Sequence, residues 1–485
     1  MSPSREQVDL VYQVDLLESI RQGLPVRAKL GKPTKQRDAD LEFLAQGPRM
    51  FAWGDPAKNP DLTRPAYQMY INRSIIAQLV ELQSALSKAA TNIIGRWFVD
   101  EEANFPERML IQDNEEHLLR WVAASGVVPP YAGRQGCSRP DFLFSAVSRK
   151  PFQPVICEIN ARFPYNSWLL MGPLSAPFDK LGLDKAGLRT GHDPLALEEA
   201  IFKLFDSSRP AHVLMGSEWP GFDVHLLPAL FKAKNRPTMR IISPADLHLT
   251  PDIDSPTGYH LSCTVRDSAS GSETQERVWQ LSLDIVQAEL GAIDMDILKE
   301  ISRICINDLR SIYLLHDKRF MGIILEEIDN MVEAGTIDTT EARTLREGIA
   351  PTYLPGSAGW ISAMASDSRD KFILKSAREG VGKGHVFGHS VSQEEWDSLL
   401  QKAGEATELV DGKAFALQRR VDQVQLESLD WQGESMDNFH LVGAWAAVNG
   451  VYLGTTGMRL AEDLCVPLGP GARGLNMFAV TDVDV

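Results

Sequence analysis

The chain lacks several features that would assign it to a class at once. Its 485 residues contain no apolar run of membrane-spanning length, no internal repeat and no low-complexity segment. The N-terminus opens into charged sequence and not into a signal peptide. Lysine and arginine total 49 against 65 acidic residues, which gives a net charge of −16. This shortage of positive charge argues against a nucleic acid or an anionic membrane as partner.

Cysteine is also scarce, and the five cysteines form no CxxC pair. An odd, scattered set predicts reduced thiols in a cytoplasmic protein, with no zinc site. Two phosphate-binding signatures are missing as well. No G-x-G-x-x-G follows a predicted strand, so we expect no dinucleotide fingerprint. The glycines around Gly382 lack the spacing of a Walker loop, and Gly384 stands where that loop needs Ser or Thr.

What the chain does contain is enough apolar sequence for several folded units. Hydrophobic residues make up 44%, and the length allows roughly two to four units with cores of their own. Apolar periodicity predicts helices over 6–22, 74–98 and 115–124. Farther along, strand patterns at 211–216 and 239–243 flank a predicted helix over 223–235. This β-α-β order predicts parallel strands and an α/β layer.

The stretch from Arg139 to Asn160 concentrates polar side chains on a predicted strand pair. Two short apolar runs flank a polar link, and side chains alternate faces along a strand. Arg139 and Asp141 therefore share one face, as do Glu158 and Asn160, while Cys157 is expected to point into the core. If the strands pair, one cation and three oxygen ligands converge, and such oxygens suit Mg²⁺ beside nucleotide phosphates. A surface hairpin with ordinary ion pairs is the alternative.

A second stretch with chemical potential covers residues 371–388. A predicted strand ends at Lys375, small residues follow, and another strand begins at His385. Glycines let backbone N–H groups approach phosphate oxygens, and a lysine at a strand end supplies a positive charge. The stretch predicts a hairpin lid over phosphates, with a plain glycine-containing hairpin as the alternative. His385 is joined to no other histidine by spacing and is expected to be structural or exposed.

Taken in their order along the chain, these motifs resemble those of the circularly permuted ATP-grasp ligases, the glutathionylspermidine-synthase-like group of carboxylate–amine ligases. Three stretches carry the resemblance: Arg139-x-Asp141 with Glu158-x-Asn160, Asp317-Lys318-Arg319-Phe320, and Phe372–Lys375 with Arg378-Glu379-Gly380. They look like the catalytic arginine and metal site, the first nucleotide lysine, and the second lysine with the phosphate lid. The metal stretch precedes both lysines, which is the permuted order.

The resemblance implies an α/β (α+β) fold, a permuted ATP-grasp with a Rossmann-like pre-ATP-grasp unit. Its expected parts are a helical region over 1–129, a metal-binding part over 130–190, the Rossmann-like unit over 191–310 and a nucleotide-binding part over 311–485. It implies an ADP-forming ligase in which a carboxylate attacks the γ-phosphate of ATP and an amine then displaces phosphate from the acyl phosphate. The expected cofactors are ATP and Mg²⁺. The expected partners are small carboxylates and amines, such as an amino acid, a peptide or a polyamine.

The resemblance also implies a role for each candidate residue. Arg139 is the expected catalytic residue, which stabilises the acyl phosphate and the oxyanion. The expected metal ligands are Asp141, Glu158 and Asn160. The expected nucleotide-binding residues are Lys318, Lys375, Glu379, Gly380, Gln418 and Arg459.

The chain departs from the family pattern in places. Arg419 follows Gln418 where relatives often carry an acidic residue, and Val381 and Lys383 stand where a glycine-richer lid is common. The change at Arg419 motivates an alternative, a catalytically silent ATP-binding regulator or scaffold. A phosphate-transfer enzyme on the same fold, which releases the acyl phosphate, is a further alternative. Residues before 130 match nothing in the family, so the substrate stays open.

Overall fold

A computed structural model describes residues 10–28, 68–146, 152–166, 168–170, 181–218, 221, 223–266, 271–365, 368–380, 382–404, 414–429, 435–461, 464, 473–476 and 478–481. In these residues the chain is a mixed α/β protein with five sheets. The predicted fold class is thereby confirmed. No helix in the described part of the chain is both long and apolar enough to cross a membrane.

The helices are numbered here along the chain. In the described residues the α-helices are α1 (Leu16–Gln22), α2 (Arg73–Arg96), α3 (Phe105–Arg108), α4 (Asp113–Ala124), α5 (Pro194–Phe202), α6 (Leu227–Ala233), α7 (Gln287–Gly291), α8 (Met295–Ile304), α9 (Arg319–Glu333), α10 (Thr339–Gly348), α11 (Ala358–Met364) and α12 (Gln393–Gly404). The helices predicted over 74–98 and 115–124 are found as α2 and α4. The helix predicted over 223–235 is a 3₁₀ turn followed by α6.

The strands are numbered in the same way. In the same described residues they are β1 (Val11–Val14), β2 (Gln68–Ile71), β3 (Cys137–Ser145), β4 (Gln153–Asn160), β5 (Leu188–Thr190), β6 (Ala211–Met215), β7 (Met239–Ile242), β8 (Leu247–Pro251), β9 (Tyr259–Arg266), β10 (Glu273–Arg277), β11 (Leu281–Asp284), β12 (Thr352–Tyr353), β13 (Phe372–Ser376), β14 (Val386–Phe387), β15 (Phe415–Arg419), β16 (Leu426–Leu429), β17 (Ser435–Val448), β18 (Val451–Ala461), β19 (Arg473–Asn476) and β20 (Phe478–Thr481).

The helix predicted over 6–22 is wrong for residues 10–14, while residues 6–9 lie outside the described residues. Residues Val11–Val14 form β1, and only Leu16–Gln22 is helical. Asp15 starts the helix because its side chain accepts a hydrogen bond from the backbone N–H of Glu18. Strand β1 pairs with β2, and β2 pairs with β20 near the end of the chain. Periodicity within a short window cannot reveal partners that far away. The described part of the region over 1–129 therefore holds two strands besides its helices.

The predicted strand pair around Asp141 lies inside a six-stranded sheet. Its order is β19-β18-β17-β3-β4, with β16 on β17. Strands β3 and β4 are antiparallel, so that Arg139 lies opposite Asn160 and Asp141 lies opposite Glu158. Strand β17 packs so tightly on β3 that a side chain at Gly443 would clash with the ring of Phe142. Close packing of this kind holds the carboxylate-bearing strand in place.

The strand that carries Lys375 lies in a separate four-stranded sheet with the order β12-β15-β13-β14. In β13, Phe372 and Leu374 point into a core formed with Trp360 and Trp396 of α11 and α12. The alternation of side chains then turns Lys375 to the opposite face. The hydrophobic pattern of this short strand therefore aims the lysine at the space between the two sheets.

The predicted β-α-β layer is a three-stranded parallel sheet with the order β11-β6-β7. Helix α6 connects β6 to β7, as the pattern indicated. Strand β11 ends at Asp284, which lies beside Met215 at the end of β6. Ligands of open parallel sheets typically bind at the carboxyl ends of the strands, so this edge is a candidate substrate surface.

Candidate active site

A cleft lies between the six-stranded and the four-stranded sheet. It holds about 690 Å³ of empty space, counted with the solvent at its mouth. Five of the predicted site residues line this cleft: Asp141, Glu158, Lys375, Gln418 and Arg459.

A β-bulge shapes the carboxylate side of the cleft. Asp141 pairs with Glu158, but the next residue, Phe142, pairs with Ile156, so Cys157 is an extra residue on β4. An extra residue interrupts the alternation of side chains. Cys157 lines the cleft beside Glu158, and its buried thiol donates to the backbone carbonyl of Asp141 at 3.4 Å. Burial raises the pKa of the Cys157 thiol to about 12, which keeps it protonated and unreactive at neutral pH.

The backbone carbonyl of Cys157 connects the two sheets because it accepts hydrogen bonds from side chains of the four-stranded sheet. The Nζ of Lys375 and the Nε2 of Gln418 each donate a hydrogen bond to the Cys157 carbonyl oxygen, both at 3.3 Å. The Nε2 of Gln418 also donates to the Oγ1 of Thr352 at 3.0 Å. Arg419, the next residue, is exposed and does not line the cleft, because neighbouring side chains in β15 point to opposite faces.

Asp141 is held between two arginines. The Nε and Nη2 of Arg139 donate to its two carboxylate oxygens at 2.8 and 3.2 Å, and the Nη2 of Arg459 donates to Oδ2 at 2.5 Å. Arg139 does not itself line the cleft, whereas Arg459 does. The arginine predicted to be catalytic thus approaches Asp141 from the neighbouring position on β3, and Arg459 approaches from the cleft side.

Glu158 faces two lysines, Lys375 of the four-stranded sheet and Lys318, which directly precedes α9. Its Oε2 lies 3.5 Å from the Nζ of Lys318, and its Oε1 accepts a hydrogen bond from the amide nitrogen of Asn160 at 3.2 Å. Burial alone would raise the pKa of this carboxyl. The charges of Lys318 and Lys375 outweigh burial and hold the pKa of Glu158 well below its ordinary value. Glu158 is therefore ionised at any working pH.

Lys318 joins the predicted lid to the rest of the site. Its backbone N–H donates to the carbonyl of Ala377 at 2.9 Å, and its Nζ donates to the carbonyl of Glu379 at 2.7 Å. Glu379 thus contributes its backbone to the site. Gly380 follows in open space, where a Cβ would meet no atom within 4 Å. Neither Glu379 nor Gly380 lines the cleft in this structure.

His385 is a site residue that the sequence prediction missed. It lines the cleft on the lysine side, and its buried Nε2 has no hydrogen-bond partner among the described residues. Burial lowers the pKa of His385 to about 3, and the charges of Lys375 and Lys318 lower it further in the same direction. The imidazole is therefore neutral at neutral pH. The one signal in the sequence for a role of His385 in the cleft is its position next to a glycine turn. Its spacing to other histidines gives no such signal.

The groups around the two carboxylates of the site carry an excess of positive charge in a chain that is acidic as a whole. Arg139, Arg459, Lys318 and Lys375 are four cations around the two carboxylates of Asp141 and Glu158, an excess of two positive charges. Such a site attracts a polyanion.

The donor set on the carboxylate side fits Mg²⁺. This ion is commonly held by one or two carboxylates together with substrate phosphates. Asp141, Glu158 and the amide of Asn160 supply oxygen donors on paired strands. No group of three His, Cys, Asp or Glu side chains suited to a metal occurs in the described residues, so phosphate oxygens would complete the coordination.

A second pair of charged groups lies beyond the cleft, and the sequence analysis did not single it out. The Nε of Arg162 is buried and has no hydrogen-bond partner among the described residues. Asp284 at the end of β11 is only 4% exposed. Burial raises its pKa to about 6, and the positive charges of His225 and Arg162 offset only part of that rise.

The raised pKa of Asp284 predicts a pH-dependent cost to folding. Because the folded-state pKa lies above the ordinary value, the cost is absent below about pH 4 and complete above about pH 6. We expect Asp284→Asn to stabilise the protein by on the order of 2 kcal/mol at pH 7 and to have little effect at pH 4. Urea unfolding at both pH values measures this. Asp254→Asn, at an exposed loop position, is the control, and an equal gain in that variant would contradict the assignment.

The fold and the cleft define the class: a mixed α/β protein with a positively charged cleft between two sheets. Comparison with known proteins gives the family. A family model described as the AnkG N-terminal domain matches residues 82–314. A protein of Aspergillus thermomutatus described as ATP-grasp enzyme ankG is 30% identical over 423 residues, which cover 82% of this chain and 85% of that protein. The chain belongs to the ATP-grasp enzymes, and the resemblance predicted from its motifs is confirmed.

A solved structure also aligns with this chain. It is the apo form of a glutathione synthetase-like effector, GSS30, from Globodera pallida. It is 13% identical, with a TM-score of 0.48, and the match covers 88% of this chain and 93% of that chain.

Proposed function

We propose that the protein is an ATP-dependent carboxylate–amine ligase that forms an amide through an acyl phosphate. ATP would lie in the cleft between the two sheets, with its phosphates between Glu158 and Lys375. The carboxylate substrate would attack the γ-phosphate, ADP would leave, and the amine would displace phosphate from the acyl phosphate. The proposed division of the chain into a metal-binding part over 130–190 and a nucleotide-binding part over 311–485 follows from these roles.

One observation carries the proposal: a carboxylate from one sheet and two lysines from elsewhere in the chain meet at one point. The Nζ of Lys318 lies 3.5 Å from Glu158, and the Nζ of Lys375 donates to the residue beside it although the two are 218 residues apart in sequence. Ordinary surface ion pairs contribute little to stability. These groups differ from such pairs because they are largely buried. A buried excess of cations around an ionised carboxylate is suited to a metal-bound polyphosphate.

The chain's own residues would act mainly by positioning and by neutralising charge. Lys318 and Lys375 would bind the β- and γ-phosphates. Arg459, on the cleft side of Asp141, would share with Arg139 the stabilisation of the acyl phosphate and of the oxyanion that forms when the amine attacks.

The nucleotide base and the metal would bind at different residues of the site. Both hydrogen bonds of Gln418 use its amide nitrogen, which leaves its amide oxygen for the amino group of adenine. Asp141, Glu158 and Asn160 would hold Mg²⁺, which supplies charge neutralisation at the phosphates when bound. Glu379 and Gly380 would approach the phosphates through their backbone N–H groups, while the carbonyl of Glu379 holds Lys318 beside them.

The alternative of a catalytically silent regulator gains no support from the site. It was motivated by Arg419, and the side chain of Arg419 is exposed on the far face of β15. The residues that would perform the chemistry are present: Arg139 and Arg459 contact Asp141, and Lys318 contacts Glu158.

The proposal is tested by following phosphate release from Mg-ATP in the presence of mixed carboxylates and amines, with mass spectrometry to identify the amide. We expect phosphate release to depend on both substrates. With the amine omitted and hydroxylamine added, we expect a hydroxamate, because hydroxylamine traps an acyl phosphate. Phosphate release that needs no carboxylate, or a phosphorylated product that survives the amine, would contradict a ligase.

A further inference from the structure

Arg378 is a largely buried arginine of the predicted lid, and it does not line the cleft. Its Nη1 donates to both carboxylate oxygens of Glu115, at 2.7 and 3.0 Å. Its Nε donates to the Oδ2 of Asp317 at 3.0 Å, and its Nη2 donates to the backbone carbonyl of Tyr313 at 3.1 Å. All three guanidinium nitrogens therefore have partners in other segments of the chain.

Glu115 is held firmly on the other side of this contact. It lies in the first turn of α4, is 1% exposed, and its Oε1 also accepts a hydrogen bond from the Nε2 of Gln287 in α7 at 2.6 Å. Beside it, the amide nitrogen of Asn114 donates to the carbonyl of Gly291, the last residue of α7, at 3.0 Å. Helix α4 belongs to the region before residue 130, in which no site residue was predicted. Glu115 is thus a fixed point outside both sheets of the cleft.

The first residues of the predicted lid are fixed at three consecutive positions. The backbone N–H of Lys318 donates to the carbonyl of Ala377, and its Nζ donates to the carbonyl of Glu379. Between these two residues, the side chain of Arg378 reaches Asp317, which directly precedes Lys318. The positions of the lid backbone and of the Lys318 ammonium group therefore depend on where Arg378 is held.

The four charged groups of this set balance one another. Asp317 is 1% exposed and also accepts hydrogen bonds from the Nε and Nη2 of Arg319, at 3.0 and 2.8 Å. Two carboxylates, those of Glu115 and Asp317, thus face the two guanidinium groups of Arg319 and Arg378, and no net charge remains to attract a ligand. The planar head of an arginine that makes four hydrogen bonds has a defined orientation, which a lysine cannot reproduce. The set is therefore suited to fixing a position and not to binding an anion.

From these contacts we propose that Glu115 and Arg378 are positioning residues of the nucleotide site, which place Lys318 and the lid backbone for the ATP phosphates. The region before residue 130 then takes part in nucleotide binding, although none of its described residues lines the cleft. This inference rests on the proposed function, because it assumes that phosphates bind beside Lys318.

The test is calorimetric titration of the whole protein with a non-hydrolysable ATP analogue in the presence of Mg²⁺. Glu115→Gln keeps the size of the side chain and removes the charge that holds Arg378. We expect the affinity for the analogue to fall roughly tenfold to a hundredfold, the usual effect of removing a partner that orients a binding residue.

Glu327→Gln is the matched control. Glu327 is 2% exposed and is held by Arg96 and Arg108, so this change also removes a buried, paired carboxylate. In the described residues no hydrogen bond or ion pair joins Glu327 to the predicted lid. We expect a loss of stability in urea unfolding, as in Glu115→Gln, but an affinity for the analogue within about twofold of that of the unmodified protein.

A second variant, Arg378→Lys, separates position from charge. Lysine keeps the positive charge of the lid but offers one nitrogen in place of the three that contact Glu115, Asp317 and Tyr313. We expect a loss of affinity similar to that of Glu115→Gln. The double variant should bind no more than about twofold more weakly than the weaker single variant, because both changes break the same contact.

The outcomes distinguish this inference from the proposed function. If both single variants are folded and bind the analogue normally, or if Glu327→Gln loses as much affinity as Glu115→Gln, the positioning role is wrong even when amide formation is found. If neither single variant folds, the pair is structural and the positioning role is rejected as well. If the affinities follow the expected pattern but no acid–amine pair yields ADP and an amide, the positioning role stands and the ligase proposal fails. An unmodified protein that does not bind the analogue would contradict both.

Discussion

Replacing Lys375 with methionine is expected to lower kcat/KM for ATP by about a hundredfold or more, the usual effect of losing one charge contact in a transition state. Lys375 is 6% exposed and lines the cleft, with its Nζ on the Cys157 carbonyl. Methionine fills the space of the lysine stem without its charge, so β13 should keep its packing. Steady-state phosphate release with saturating carboxylate and amine measures the effect.

The matched control for this prediction is Lys371→Met. Lys371 lies just before the same strand, but its side chain is exposed. We expect kinetics within about twofold of the unmodified protein, since isolated surface charges contribute little. Thermal unfolding of both variants shows whether the fold is kept. Near-normal turnover in a folded Lys375→Met protein would remove this lysine from the mechanism.

The second large effect is expected from Glu158→Gln. This change keeps the shape of the side chain but removes the charge that faces Lys318 and Lys375. Under the proposed function it weakens the hold on Mg²⁺, so we expect turnover to fall about a hundredfold and the Mg²⁺ concentration for half-maximal rate to rise. Activity followed across a Mg²⁺ titration at fixed nucleotide measures both.

Two further variants make this result interpretable. Glu158→Asp keeps the charge and should retain part of the activity, which a purely structural role would not predict. Glu394→Gln removes an exposed carboxylate of α12 and should change nothing. If Glu158→Gln were folded and showed the same Mg²⁺ dependence as the unmodified protein, Glu158 would not be a metal ligand.

The sequence alone predicts the strand pair of the site well, because the information is local. Alternation of side chains in two short strands is enough to place Arg139 beside Asp141 and Glu158 beside Asn160, and the structure adds the register that sets Asp141 opposite Glu158. The order of the family's motifs along the chain then indicates that Lys318 and Lys375 belong to the same site. No local pattern shows this.

Other parts depend on contacts between distant segments and could not be predicted in this way. The bulge at Cys157 arises from the register between two strands, and strand β1 forms at the edge of a sheet because it pairs with β2, which in turn pairs with β20. The hydrogen bond from Tyr165 to Ser282 joins the segment after β4 to β11. The spacing between histidines does not single out His385, whereas its place in the cleft follows from the lysine strand next to it.

The central claim is that Mg-ATP binds between the two sheets with its phosphates at the point where Glu158 meets Lys318 and Lys375. A crystal structure of the protein with Mg²⁺ and a non-hydrolysable ATP analogue tests it most directly. We predict that the terminal phosphates contact both lysines and that the metal contacts Glu158. An analogue bound outside this cleft, or one whose phosphates contact none of these three side chains, would contradict the account.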